Sequence, residues 1–178
     1  VEGADGYGAG GGICVNAASG FTIEDSRIVD NTTYLMEGGG LFMIASANAT
    51  LRNVEITGNS SSMGGGICLQ NSSIVNIINS TISDNNATVG GGIYVDGTDD
   101  LRITNSIIWN NTPTAVSLFG SGSIDITYSD IQGGWGGWTN INTDPLFVDV
   151  SSGDYTLQFP DSPCIDAGTA DLDDDGTD

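Results

Sequence analysis

The chain has 178 residues, 38% of them hydrophobic, and a formal net charge of -20 from 23 acidic residues against three basic ones and no histidine. That length and apolar content suit one domain with a real core, not a disordered chain, and the charge excludes nucleic acid and anionic membranes as partners by like-charge repulsion. No run of about 18 apolar residues could cross a bilayer, and no basic stretch leads into an apolar one as in a leader, so direct membrane insertion of this segment is excluded too.

The chain begins at Val1 instead of Met, as expected of a processed or truncated piece of something longer. Four glycine triplets then set a register: Gly10-Gly11-Gly12, Gly38-Gly39-Gly40, Gly64-Gly65-Gly66 and Gly90-Gly91-Gly92, at intervals of 28, 26 and 26 residues. A fixed period of that size marks a repeat architecture. Behind each triplet an alternating run places Ile13 and Val15, Leu41 and Met43, Ile67 and Leu69, and Ile93 and Val95 on one side. Two more columns, Ile23, Leu51, Ile77, Ile103, Ile126 and Ile28, Ile56, Ile82, Ile108, Ile131, both step by 28, 26, 26 and 23 residues. The segments "FTIED", "VEITGN" and "LRITN" carry the period of two of half-buried strands, and no helical period is present. Three short strands per coil, repeated in register, bury their apolar faces by winding into a parallel β-helix that rises about 4.8 Å per coil.

The expected fold class is therefore all-β: a single-stranded parallel β-helix of about five to six coils of about 26 residues, right-handed by the usual crossover rule. It should cover residues 1–168, with regular coils over about 8–134 and an irregular last coil over 135–168, followed by an acidic tail at 169–178. The glycines read as structural punctuation, where coils turn and approach one another closely. Gly6, Gly8 and Gly11 formally match a dinucleotide-binding fingerprint, but no strand precedes them, no helix follows, and phosphate would meet a strongly anionic protein.

Polar columns run beside the apolar ones. Asn31, Asn59, Asn85 and Asn111 each follow an inward isoleucine by three residues and are expected to form a hydrogen-bonded structural ladder at a corner. Asp25, Asn53, Asn79 and Asn105, flanked by Ser26, Ser80, Ser106 and Ser129, read as turn ladders. Cys14 and Cys68 share an outward column with Phe42 between them and Tyr94 beyond. Two coils separate the thiols by about 9 to 10 Å, too far for a disulfide, which wants Cα atoms within about 7 Å. Cys164 either pairs with an absent partner or stays free. The outward stripe containing Phe42 and Tyr94 is covered by the chain's own loop or packs on another chain, so both residues are candidate sugar or interface contacts.

After the regular coils, "GGWGGW" sets Trp135 and Trp138 either to cover the core or to stack on sugar rings. At the end, Asp171, Asp173 and Asp175 before Gly176 spell the opening of a calcium loop, with Ca²⁺ as the expected ion and a solvated acidic tail as the rival reading. Asn-x-Ser/Thr triplets occur at Asn31, Asn48, Asn59, Asn71, Asn79, Asn86 and Asn110. Since Asn31 and Asn59 belong to the inward ladder, surface glycans are expected at Asn48, Asn71, Asn86 and Asn110.

"GGGI" alternating with "IxxN" resembles the GGAI and FxxN repeats of polymorphic outer-membrane and autotransporter-type surface proteins, within the pectate-lyase-like right-handed β-helix superfamily. The likeness covers roughly residues 8–134, with Gly in place of Ala and Ile in place of Phe. Downstream, "DPLFVD", "GDYTLQ" and "SPCIDAG" resemble the final coil of many secreted bacterial and archaeal β-helix proteins. The superfamily includes polysaccharide lyases and glycoside hydrolases, which the resemblance brings into question here. A lyase of that kind would need Ca²⁺ and a basic residue. The strong bases, Arg27, Arg52 and Arg102, fall in three different columns, and a polyuronate would be repelled. A hydrolase would need two carboxylates about 5 to 10 Å apart in one cleft. Asp125 with Asp130, or Asp149 with Asp154, could be proposed, but aspartate is abundant enough to meet that spacing by chance. The expectation is a non-enzymatic extracellular or cell-surface structural or adhesive module, such as a filament or surface-layer subunit. It would self-associate through coil ends or the apolar outer face. The alternative is a carbohydrate-binding or carbohydrate-active β-helix with a surface polysaccharide as partner.

Overall fold

The structure is a computed structural model that describes residues 5–6, 10–16, 20–34, 37–45, 48–71, 74–97 and 100–169. The chain winds as a parallel β-solenoid. A short β1 (Asp5–Gly6) precedes the first rung, which holds β2 (Ile13–Asn16), β3 (Phe21–Val29) and β4 (Thr32–Thr33). The second holds β5 (Leu41–Ile44) and β6 (Ala49–Thr57), and the third β7 (Ile67–Gln70), β8 (Ile74–Ile78) and β9 (Thr81–Ser83). The fourth holds β10 (Ile93–Gly97), β11 (Asp100–Thr104) and β12 (Ile107–Trp109), and the fifth β13 (Val116–Gly120), β14 (Ser123–Thr127) and β15 (Asp130–Ile131). Five rungs make four full turns. The four strands behind the glycine triplets, together with β13, form one five-stranded parallel sheet, β13-β10-β7-β5-β2. Apart from β1 and β4, which pair with each other, the others form a second sheet in which β3 and β6 bend and pair on both sides of the bend, β6 with β8 and with β9.

The sequence predicts three separate strands in every coil, but in the first two rungs the second and third are one nine-residue strand. The two pieces meet at the bend column, which the later rungs share. Asp25 and Asn53 take left-handed φ angles of 47° and 52°, which lets one residue redirect the strand without a loop, and short Asx side chains tolerate that conformation best. Asn79 and Asn105 make the same bend (φ 51° and 52°) where later rungs break into two strands. The turn between the third strand and the next glycine triplet is itself stacked, through parallel bridges Thr32–Ser60–Asn86–Thr112 and Glu37–Met63–Val89.

Inside, the side chains that recur by rung form a continuous core in which Leu41, Leu51, Ile56, Ile67, Ile77, Ile82, Ile93 and Ile103 are fully buried. Each such side chain contributes about 1.5–3 kcal/mol relative to exposure. The glycine triplets serve two physical ends. Gly64, first of its triplet, has φ +64°, where L side chains are strained, whereas Gly66, the third, would put a Cβ 2.7 Å from the Gly92 carbonyl and 3.1 Å from the Asn85 carboxamide. The chain can therefore pass tightly over the asparagine column only where the side chain is missing.

The outward column of the first sheet pairs Cys14, Phe42, Cys68 and Tyr94 in register. Phe42, Cys68 and Tyr94 are buried in a second cluster with Ile44 and Met63. From Phe42 to Tyr94 the stripe is thus buried, leaving Phe42 and Tyr94 almost no surface for sugar or interface contacts, whereas Cys14 at its start is exposed. The cysteines carry no disulfide.

Beyond Ile131 the regular winding ends, and the stretch expected to form an irregular last coil begins with a short piece of one further rung around Ile141. Gly133 and Gly134 (φ 91° and 79°) turn the chain away, Trp135 packs on the end of the core, and Ile141 makes one parallel bridge to Asp130. Asn140 takes the place a further serine would occupy in the turn ladder, accepting from the Ser129 N–H at 3.1 Å. The chain then forms an antiparallel hairpin, β16 (Phe147–Asp149) and β17 (Asp154–Leu157), joined by a short 3-10 turn. This segment lies along the outside of the solenoid as a strap.

Candidate functional site

Each strap anchor meets a different rung. The Gly153 carbonyl accepts from Arg27 Nη2 of the first rung at 3.2 Å, and the Tyr155 hydroxyl donates to Asp84 Oδ2 behind the third at 2.8 Å. Asn105 of the fourth exchanges two bonds with Thr169, at 2.6 and 2.8 Å. On the fifth rung, the Thr143 N–H donates to Asp130 Oδ1 at 3.2 Å and the Cys164 thiol to Asp130 Oδ2 at 3.1 Å. Phe147 supports Tyr155 edge-on, with ring centroids 5.2 Å apart. Burial and then the bond to Asp84 push the Tyr155 phenol well above its ordinary value. It stays a protonated donor throughout the physiological range.

Between strap and solenoid runs a groove with two lobes. A half-enclosed cavity of about 250 Å³ lies toward the fifth rung, lined by Ser106, Ser129, Asp130 and Cys164 among others. A more open cleft of about 530 Å³ lies toward the first rung, where Asp25, Glu55, Asp154 and Arg27 border it. Asn79, Thr81 and Tyr155 line both lobes and mark the junction. The open lobe carries more negative than positive charge, and Arg27 is engaged by Glu55 Oε1 at 2.7 Å. Such a groove disfavours uronates and phosphates and suits neutral hydroxyl-rich molecules or cations.

Asp130 is 2% exposed. Burial raises its pKa, with the Cys164 thiol and the Thr143 N–H acting in the opposite sense. Burial and the facing Asp130 in turn push the Cys164 thiol up to about 12, so it is a structural donor and not a nucleophile. Asp125 is exposed on β14 and does not line the cavity that holds Asp130. Asp149 and Asp154 do face each other across the hairpin, yet both are held below the ordinary carboxylate range, first by the hydroxyls of Ser151 and Thr156 respectively. Neither is suited to deliver a proton. The arginines lie apart in the register: Arg27 opposite Glu55, Arg52 opposite Glu24, Arg102 opposite Asp125.

Asn31, Asn59, Asn85 and Asn111 are buried, and each of the first three donates its carboxamide or backbone N–H to Oδ1 of the next at 2.9–3.0 Å. Asn48, Asn71, Asn86 and Asn110 are exposed. The Asn110 carboxamide also donates to Asp84 Oδ1, a bond that a glycan there would disturb. Trp135 half-buries itself on the core, while Trp138 is fully exposed. Asp171, Asp173 and Asp175 lie outside the described residues. Among the described residues no group of three or more His, Cys, Asp or Glu side chains gathers in a metal-holding arrangement, and no helix is long and apolar enough to cross a membrane.

Sequence reasoning missed the strap, its Asp130–Cys164 contact and the exposed Leu118 and Phe119 at the last rung. Their columns announce neither: Phe119 continues a column of Asn16, Ile44, Gln70 and Asp96 that is already mixed, and Asp130 continues one of Arg27, Glu55, Thr81 and Ile107 that already holds charged residues. Residues 2–149 match a family model described as "Right handed beta helix region". No curated protein and no solved structure matches the chain.

Proposed function

Since the chain belongs to the right-handed β-helix family, we propose that it serves as a non-enzymatic structural or adhesive module of an extracellular or cell-surface assembly, such as a filament or surface-layer subunit. The observation that carries this reading is the lengthwise bracing. A solenoid held only by contacts between successive rungs can open one rung at a time. Here the strap ties the first rung to the third, fourth and fifth through Arg27, Asp84, Asn105 and Asp130. A rod braced in that way bears load as a unit. The charge of -20 suits a setting rich in salt or divalent cations, where carboxylates are screened. Incubation of the protein with a panel of neutral and acidic polysaccharides, followed by reducing-end and unsaturated-uronate assays, tests it. No new ends are expected, and turnover of any substrate would overturn the reading.

The groove favours a second reading, recognition of a neutral polysaccharide along Asn79, Thr81 and Tyr155. The same panel measured by calorimetry separates the two. Binding that is lost in Asn79→Ala, without turnover, would favour the second.

A further inference from the structure

At the fifth rung the solenoid ends in three strand edges, and the chain treats them differently. Beside β15 lies the covering bridge from Ile141 to Asp130. The edge of β14 carries the exposed carboxylate of Asp125. Among the described residues, the edge of β13 has neither device. It is the terminal strand of the five-stranded sheet and pairs with β10 through all five residues from Val116 to Gly120, without a bulge. Residues 111–124 contain no charged side chain, in a chain of net charge -20. Leu118, at an inward position that is buried in the second, third and fourth rungs, is 43% exposed, and Phe119 is 67% exposed. Soluble proteins guard such edges with charge, proline, bulges or cover, and a regular apolar edge without them is a template for strand addition.

We propose that this edge is a docking surface for a second copy of the chain, with β13 pairing antiparallel to its counterpart about a two-fold axis at Leu118. The sequence of the strand complements itself in that register. Leu118 meets Leu118 of the other copy in an apolar pair, while Ser117 meets Phe119 and Val116 meets Gly120, so Phe119 and Val116 are each set opposite a smaller residue. Antiparallel pairing is slightly stronger per residue than parallel pairing, and a two-fold contact closes on itself. The contact is neutral while the bodies it joins are both strongly anionic, so added salt should strengthen it by screening the repulsion between them. This surface goes beyond the structural reading above, because the edge would dimerise whether the module bears load or binds sugar.

Sedimentation equilibrium of the whole chain tests the proposal. A species of twice 18.3 kDa is expected, favoured as NaCl is raised from about 0.05 M to about 0.5 M, a range over which the screening length falls roughly threefold. Phe119→Lys, at an exposed position, should raise the dissociation constant at least tenfold with unchanged circular dichroism and melting temperature. In a Cys14→Ser background, Leu118→Cys should form an intermolecular disulfide with its own counterpart on mild oxidation. A monomer at all salt concentrations, a dimer indifferent to Phe119→Lys, or open-ended oligomers without the Leu118→Cys cross-link would each overturn it.

Discussion

Asn85 shows how much one buried side chain can hold. Its carboxamide donates to the Ile56 carbonyl at 2.8 Å and to Asn111 Oδ1 at 3.0 Å, and its own oxygen accepts from both nitrogens of Asn59. Truncation would orphan several buried groups at once, each costing about 1–3 kcal/mol. Asn85→Ala should therefore lose about 2 to 6 kcal/mol in urea unfolding, while Asn86→Ala, one residue on and exposed, should change stability by less than about 0.5 kcal/mol. Equal effects of the two would mean that the ladder carries no stability. The ladder is readable as a column in the sequence because the corner repeats every rung. So is the third-glycine column that passes over it, for Gly66 cannot carry a Cβ beside Asn85. The same burial separates the acceptor triplets. In glycopeptide mass spectrometry of native material, sugar is expected at Asn48, Asn71 or Asn86, and sugar on Asn59 would contradict the ladder's burial.

The strap lies at the scale of elements and was not legible, since its residues pair with groups far away in sequence and follow no period. Tyr155 meets Asp84, Cys164 meets Asp130 and Thr169 meets Asn105. Nothing in "GDYTLQ" or "SPCIDAG" says which rung each residue will reach. Its electrostatics make it testable. Asp130 has a raised pKa in the folded state, so the unfolded chain releases that proton first, and stability falls as the pH rises from the ordinary carboxylate value toward neutrality. Asp149 and Asp154 act in the reverse sense, since their depressed values give stability that is present above the ordinary carboxylate value and lost as the pH falls through the lowered ones. Asp130→Asn should remove only the first effect. Its melting temperature relative to the native chain should rise from about pH 4 to pH 7, and a flat difference would show that the buried carboxylate pays no desolvation cost. The Cys164 thiol, pushed up to about 12, should react with iodoacetamide at pH 8 far more slowly than exposed Cys14 does, as measured by peptide mapping. Comparable rates would mean that the strap opens readily from the fifth rung.

At the scale of the whole molecule, period and chemistry separate. The coil count could be read from the isoleucine columns, because every rung repeats the same inward demand, whereas the end of the solenoid could not, because Gly133 and Gly134 break the winding by a local conformation that no repeat announces. Both the proposed function and the proposed dimer contact rest on that irregular end, where the strap lies along the rungs and β13 is the terminal strand of its sheet. The most direct test of the central claim, that this is a structural module of a surface assembly, is immunogold electron microscopy of the native source with antibody raised against the chain. Label in an ordered layer or filaments at the cell exterior is the predicted result; label confined to the cytoplasm, or to freely secreted monomer, would contradict it.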